Sequence, residues 1–172
     1  MRFFLPLFLC FFIISSPVIS EQKIAFVDMD RLVSVSKAGS SIFNQLKNIN
    51  NKNLNLLKKE EIIFKEKEKK LIAQKNIISE TDFKNKVDEL KSEVNNYNQN
   101  RKQMIEKFNR LKVENTNNLL KLINPILAKF SNEKEISIIL QKKDLIIGKT
   151  ELDITDEIIK IINNEIKEFK IK

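Results

Sequence analysis

The chain has 172 residues and a net charge of +8; 42% of the residues are hydrophobic and 31% charged, with two Gly, three Pro, one Cys and neither His nor Trp. Without His, and with a single Cys, it lacks the usual ligands of zinc, copper or iron and the usual general base or nucleophile–base pair. Low Gly and Pro beside abundant Lys, Glu, Leu, Ile and Asn suits long helices joined by few turns, and the positive charge suits acidic partners or a merely basic surface.

Residues 1–20 read as a secretory signal peptide. Met1-Arg2 is the positive start, Phe3 to Ile14 the uncharged apolar run, and Val18 and Ser20 occupy the small-side-chain positions before a cut after Ser20. The run is shorter than the ~20 residues a membrane-spanning helix needs, which argues against an uncleaved anchor. Cys10 lies inside the run among Phe residues, too early for a lipidation site. The mature chain, residues 21–172, then has no Cys and hence no disulfide, so it relies on its core, on oligomerisation or on both. Export places it beyond the membrane, in the envelope space of a bacterium.

Residues 23–28, Lys-Ile-Ala-Phe-Val-Asp, predict a strand, and Met29 to Val35 a turn or short helix. Ser36 and Ser40 are N-cap choices for a long helix from about Ala38 to about Ile78, roughly 60 Å at ~1.5 Å per residue. Its apolar row is Ile42, Leu46, Ile49, Leu56, Ile63 and Ile77, interrupted by Asn53, Glu60, Lys67, Lys70 and Gln74. Ser79-Glu80-Thr81-Asp82 predicts a helix restart, with a hydroxyl cap and acids at the positive helix end. A cleaner seam follows: Phe83, Val87, Leu90, Val94, Tyr97, Arg101, Met104, Phe108 and Leu111, all apolar but Arg101. The helix is expected to reach about Ser131, with Pro125 kinking or breaking it.

Two long helices joined by a short restart fold back on each other, because running straight on would leave both seams wet. Ile136 to Leu140 and Leu145 to Ile147, either side of Lys142-Lys143-Asp144, then predict a β-hairpin. Thr155 with Asp156 and Glu157 caps a last amphipathic helix, Ile158 to Phe169. The fold class expected is therefore α+β and mainly helical, a long antiparallel helical hairpin projecting as an arm from a small β-containing body. The body comprises 21–39 and 133–172, and the arm 40–132.

Charge is uneven. Residues 40–132 hold 17 Lys and 2 Arg against 9 Glu and 2 Asp, whereas 21–39 with 133–172 hold 11 basic and 12 acidic residues. The positive excess of the mature chain sits on the arm, where lipid phosphates or acidic polypeptide are suitable partners. Nucleic acid fits the charge as well, but export separates the chain from it. There is no Gly-rich phosphate loop, CxxC, HExxH or GxSxG, and Glu60-Glu61 reads as ordinary helix-surface charge. Asp28 and Asp30 follow a strand end and read as turn and cap residues. Neither a catalytic centre nor a cofactor is expected.

Lys23-Ile-Ala-Phe-Val-Asp-Met-Asp-Arg-Leu32 with Ser36-Lys-Ala-Gly39 resembles the N-terminal signature of the Skp (OmpH-like) family of periplasmic chaperones, and Leu152-Asp-Ile-Thr-Asp-Glu-Ile-Ile-Lys160 its C-terminal signature. The resemblance spans the whole mature chain. It implies a homotrimer in which strands from three bodies share a barrel, with three arms enclosing a cavity that holds unfolded outer-membrane proteins without ATP. On that strand-sharing model Ile24, Phe26, Ile138 and Leu140 lie in or beside the trimer interface; the alternative is simple intrachain core. Client-contact candidates on the arm are Phe64, Phe83 and Phe108, with Lys84 and Lys86 as neighbouring cations; some of these rings are expected to pack helix against helix. Some members bind lipopolysaccharide through arm cations; nothing here aligns with those residues, so no such site is assigned, and lipopolysaccharide or an anionic membrane surface stays a further acidic partner. The competing reading is a structural or adaptor coiled coil of the envelope that binds a folded partner. A holdase needs an open, salt-sensitive apolar surface, whereas an adaptor needs a continuous seam on both helices.

Overall fold

The computed structural model describes residues 22–167 and 169–171; the signal-peptide expectation lies outside them. In chain order the elements are β1 (Lys23–Val27), α1 (Met29–Val35), α2 (Lys37–Gln74), α3 (Glu80–Lys134), β2 (Ile136–Gln141) and α4 (Thr155–Glu165), with two 3-10 turns, Lys142–Asp144 and Thr150–Leu152, before α4.

Short polar side chains set the helix starts. The Asp28 carboxylate accepts from Arg31 N at 2.9 Å and opens α1. The Ser36 hydroxyl accepts from Gly39 N at 3.2 Å and opens α2. At the restart, Ser79 Oγ accepts from Asp82 N at 3.0 Å and donates to the Asp82 carboxylate at 2.6 Å, so side chain and backbone hold the first turn of α3 together. That helix ends at Glu135, whose left-handed backbone (φ 56°) turns the chain into β2. Pro125 neither breaks nor ends the helix: α3 runs through it as one helix. Its neighbours Ile123 and Ile126 are buried, and that packing outweighs the backbone bond a proline forfeits.

β1 and β2 pair in parallel, Ile24 beside Ile138 and Phe26 beside Leu140. A parallel pair needs a long crossover, and the α2–α3 hairpin is that crossover. Alternation sends Ala25, Val27 and Ile139 to the core and Ile24, Phe26, Ile138 and Leu140 to the other face. The core gathers Leu32 of α1, Ala38, Ile42 and Leu46 of α2, Leu119, Ile123, Ile126 and Phe130 of α3, and Ile158, Ile159 and Ile162 of α4. Polar ties lock the layers. Arg31 donates to Asp156 at 2.8 Å, Asp28 N to the Thr155 hydroxyl at 2.9 Å, and Lys37 N to Asn163 Oδ1 at 2.7 Å.

Three expectations are corrected. Leu145 to Ile147 forms no second hairpin strand; Ile146 and Ile147 stand fully exposed in a loop whose neck is closed by Lys142 donating to Asp153 at 2.8 Å. β-branched composition permits an extended chain, but β2 finds its partner in β1. The last helix starts at Thr155, whose amide and hydroxyl both donate to the Asp153 carboxylate, and ends at Glu165. On α2 the row against α3 is not Leu56 and Ile63 but their neighbours: Leu57 is buried and Phe64 half-buried, while Leu56 and Ile63 are half exposed. Adjacent apolar residues in Leu56-Leu57 and Ile62-Ile63-Phe64 leave the phase of the row open until α3 selects one edge.

Candidate functional site

The candidate functional surface is the hairpin formed by α2 and α3. At about 1.5 Å per residue, the 38 residues of α2 make a rod of about 57 Å. Three polar contacts define the antiparallel register from mid-arm to tip. The Tyr97 hydroxyl donates to Glu61 at 2.8 Å, Lys67 donates to both oxygens of Glu93 at 2.6 and 2.5 Å, and Lys86 donates to Gln74 Oε1 at 2.9 Å. Phe64 meets Tyr97 edge to face, with ring centroids 5.4 Å apart. Burial first, and then the Glu61 acceptor, hold the Tyr97 hydroxyl above its ordinary pKa.

The α3 seam reads in the structure as in the sequence. Phe83, Val87, Leu90, Val94, Met104, Phe108 and Leu111 are half-buried, Tyr97 is buried, and Arg101 is exposed. Phe64, Phe83 and Phe108 therefore pack partly between the helices while keeping an edge to solvent. Lys84 and Lys86 are exposed near the tip, and Lys86 reaches across to Gln74. Phe43, nearer the base, is 65% exposed. These residues lie along one arm and converge on no single pocket.

The sequence did not single out Leu54, Ile72 and Ile105, which are exposed large apolar side chains beside the seam. Their signal was weak: each lies outside the heptad row, and only the observed register shows which helix flank stays uncovered. Midway along the arm, a groove of about 510 Å³ opens between the helices, with Leu54 on one side and Ile105 on the other.

At the base, Ile24, Ile138 and Leu140 are exposed on the outer face of the sheet, whereas Phe26 is 6% exposed. A Cβ added to Gly148 would come within 2.8 Å of the Phe26 ring, so the loop after β2 covers that ring inside the chain. Lys142 Nζ stands 5.8 Å from the centre of the same ring. Among the described residues, β2 pairs only with β1 and its other edge is open. No cluster of three or more His, Cys, Asp or Glu side chains is placed to hold a metal ion, and no helix is long and apolar enough to cross a membrane, again among the described residues.

The model of the family Outer membrane protein (OmpH-like) matches residues 23–162. In fold, the chain is similar to a solved structure from Caulobacter crescentus CB15, named as an outer membrane chaperone (OmpH-like), at a TM-score of 0.81 and 17% identity. That likeness covers 87% of this chain and 88% of the other. No curated protein matches the sequence. With a family match across almost all described elements, from β1 to the third turn of α4, the chain belongs to the OmpH-like family.

Proposed function

We propose that the protein is a periplasmic holdase chaperone, ATP-independent, that binds unfolded outer-membrane proteins in a cavity between helical arms. The observation that carries this reading is the arm itself. It is a long, strongly basic hairpin whose flanks expose large apolar side chains instead of burying them. An unfolded client offers apolar segments and carboxylates in no fixed order. A surface that holds many such clients needs dispersed apolar contacts and long-range charge, not one tight site. Membership of the OmpH-like family, and the name of the Caulobacter structure, support the same role.

The reading divides the chain into a leader (1–20), an oligomerising body (21–39 and 133–172) and a client-holding arm (40–132). The assembly proposed is a homotrimer. Ile24, Ile138 and Leu140, on a two-stranded sheet with an open edge, are the surface it would cover, with Phe26 just beneath. On the arm, Phe64, Phe83 and Phe108 supply apolar edges, and Lys84 and Lys86 supply charge near the tip. The net positive charge of the arm as a whole suits lipopolysaccharide or an anionic membrane surface as a second acidic partner.

The test uses purified residues 21–172. A urea-denatured outer-membrane β-barrel protein is diluted into it without ATP, and aggregation is followed by light scattering, with molar mass measured on the same sample. Suppression at about one trimer per client, weakened by salt, is the expected result. An oligomer that leaves aggregation unchanged overturns the proposal in favour of an adaptor coiled coil, whose folded partner a pull-down would then seek.

A further inference from the structure

The mid-arm groove has a structural cause. Between the buried Leu46 and Leu57, α2 places Asn50 and Asn53 against α3, and α3 places Arg101 in its own seam. Two short amides and an exposed cation leave unfilled the space that Leu or Ile would take, and the groove opens beside them. Apolar surface remains on both walls. Leu54 is 55% and Ile105 48% exposed, with Met104 and Phe108 half-buried between them. The volume, about 510 Å³, falls within the ~300–1,000 Å³ typical of sites that hold small ligands.

The groove also carries a net positive charge, two cations against one carboxylate. Lys58 and Arg101 line it, both are exposed, and neither joins an ion pair among the described residues. Glu61, the one carboxylate that lines it, already accepts from Tyr97. An apolar slot flanked by two cations without carboxylate partners is complementary to an apolar side chain followed closely by an acid.

We infer that this groove is a client-reading subsite. It takes a Leu or Phe side chain of an extended, unfolded segment, while an Asp or Glu one or two residues along pairs with Arg101 or Lys58. The inference rests on the chaperone reading and sharpens it: clients are selected segment by segment for apolar–acidic neighbours, not for basic charge attraction alone.

The experiment uses the full mature chain and fluorescein-labelled peptides of about 12 residues. Each carries Leu-Phe in a Gly/Ser host, flanked by Asp, by Ser or by Lys, and binding is read by anisotropy. The expected affinity order is Asp, then Ser, then Lys. Arg101→Glu should lose about 3- to 10-fold for the Asp peptide and gain for the Lys peptide, the scale of an exposed ion pair turned into a repulsion. Ile105→Gln and Leu54→Gln, both on exposed flanks, should weaken all three peptides alike. Lys112→Glu makes the same change in net charge on an exposed α3 position outside the groove and should leave the order intact. If Lys112→Glu shifts the order as much as Arg101→Glu does, general arm basicity explains it and the subsite is wrong. If the wild type suppresses client aggregation but none of the groove variants alters peptide binding, the subsite falls and the chaperone reading stands. If the wild type neither binds peptide nor suppresses aggregation, both fall.

Discussion

The same two helices behave differently at their two ends. At the base, α2 and α3 bury Ala38, Ile42, Leu46, Leu119, Ile123, Ile126 and Phe130, because α1, α4 and the sheet cover the sides they do not offer each other. Farther out, only Leu57 and Tyr97 are buried among the described residues, and the rest of the seam is half-buried at best. A two-helix ribbon has no third layer, so each seam side chain keeps an edge in water however good its heptad pattern. Length and apolar content alone therefore do not make a core, and the arm spends its hydrophobic residues on surface.

That contrast is sharpened first by truncation. Ile123→Ala, at a fully buried base position, should cost about 2–5 kcal/mol, whereas Leu71→Ala, half-buried in the arm, should cost about 1–2 kcal/mol. Urea unfolding followed by circular dichroism measures both. Equal losses would mean that the arm is as well packed as the base. Gly39→Ala comes next. A Cβ there would overlap the Val33 carbonyl oxygen, a backbone atom that yields only if α1 moves away from α2, at a cost of about 1–3 kcal/mol in the same assay.

Smaller effects separate the two regions by pH and by charge. Tyr97→Phe removes one hydrogen bond and should destabilise by about 0.5–1.5 kcal/mol. Because folding raises the pKa of Tyr97, its contribution is complete below the unfolded value near ~10 and is lost as pH rises through the folded value. At Asp153, burial alone would raise the pKa, but hydrogen bonds from Lys142 and Thr155 outweigh it and hold the carboxyl below its ordinary value. Its contribution is therefore present above about pH 4 and is lost as pH falls through the lower folded value. Melting curves against pH should lose the difference between wild type and Asp153→Asn on the acid side, and that between wild type and Tyr97→Phe on the alkaline side. The smallest change expected is Lys67→Ala, at most about 0.5 kcal/mol for an exposed pair, and that should vanish in molar salt.

Much of this architecture was legible from residues alone. The α3 seam, the Ser79 restart, the Ser36 cap and the strand at Lys23 were readable because each rests on local chemistry: a 7-residue spacing, a hydroxyl before free amides, a short apolar run. The phase of the α2 seam was not, because Leu56-Leu57 and Ile62-Ile63-Phe64 satisfy two rows equally. The strand proposed at Leu145 to Ile147 failed for a related reason, since composition allowed an extended chain but named no partner. Of the residues read as beside a trimer interface, Ile24, Ile138 and Leu140 share an exposed sheet face, while Phe26 on that face is covered by the loop at Gly148.

By itself, then, the sequence determined two long helices, the turn between them, a basic arm beside a neutral body, and the resemblance of its two ends to the OmpH-like signatures. Those properties follow from residue spacing and counting, which act over a few turns of chain. The tertiary structure alone decided that β1 and β2 meet in parallel across the hairpin, that Leu57 and not Leu56 faces α3, and that a groove lined by Asn50, Asn53 and Arg101 opens between the two helices. Each of those depends on which residue of one distant segment faces which residue of another. That register is set by the fold-back of the whole hairpin and has no local signature.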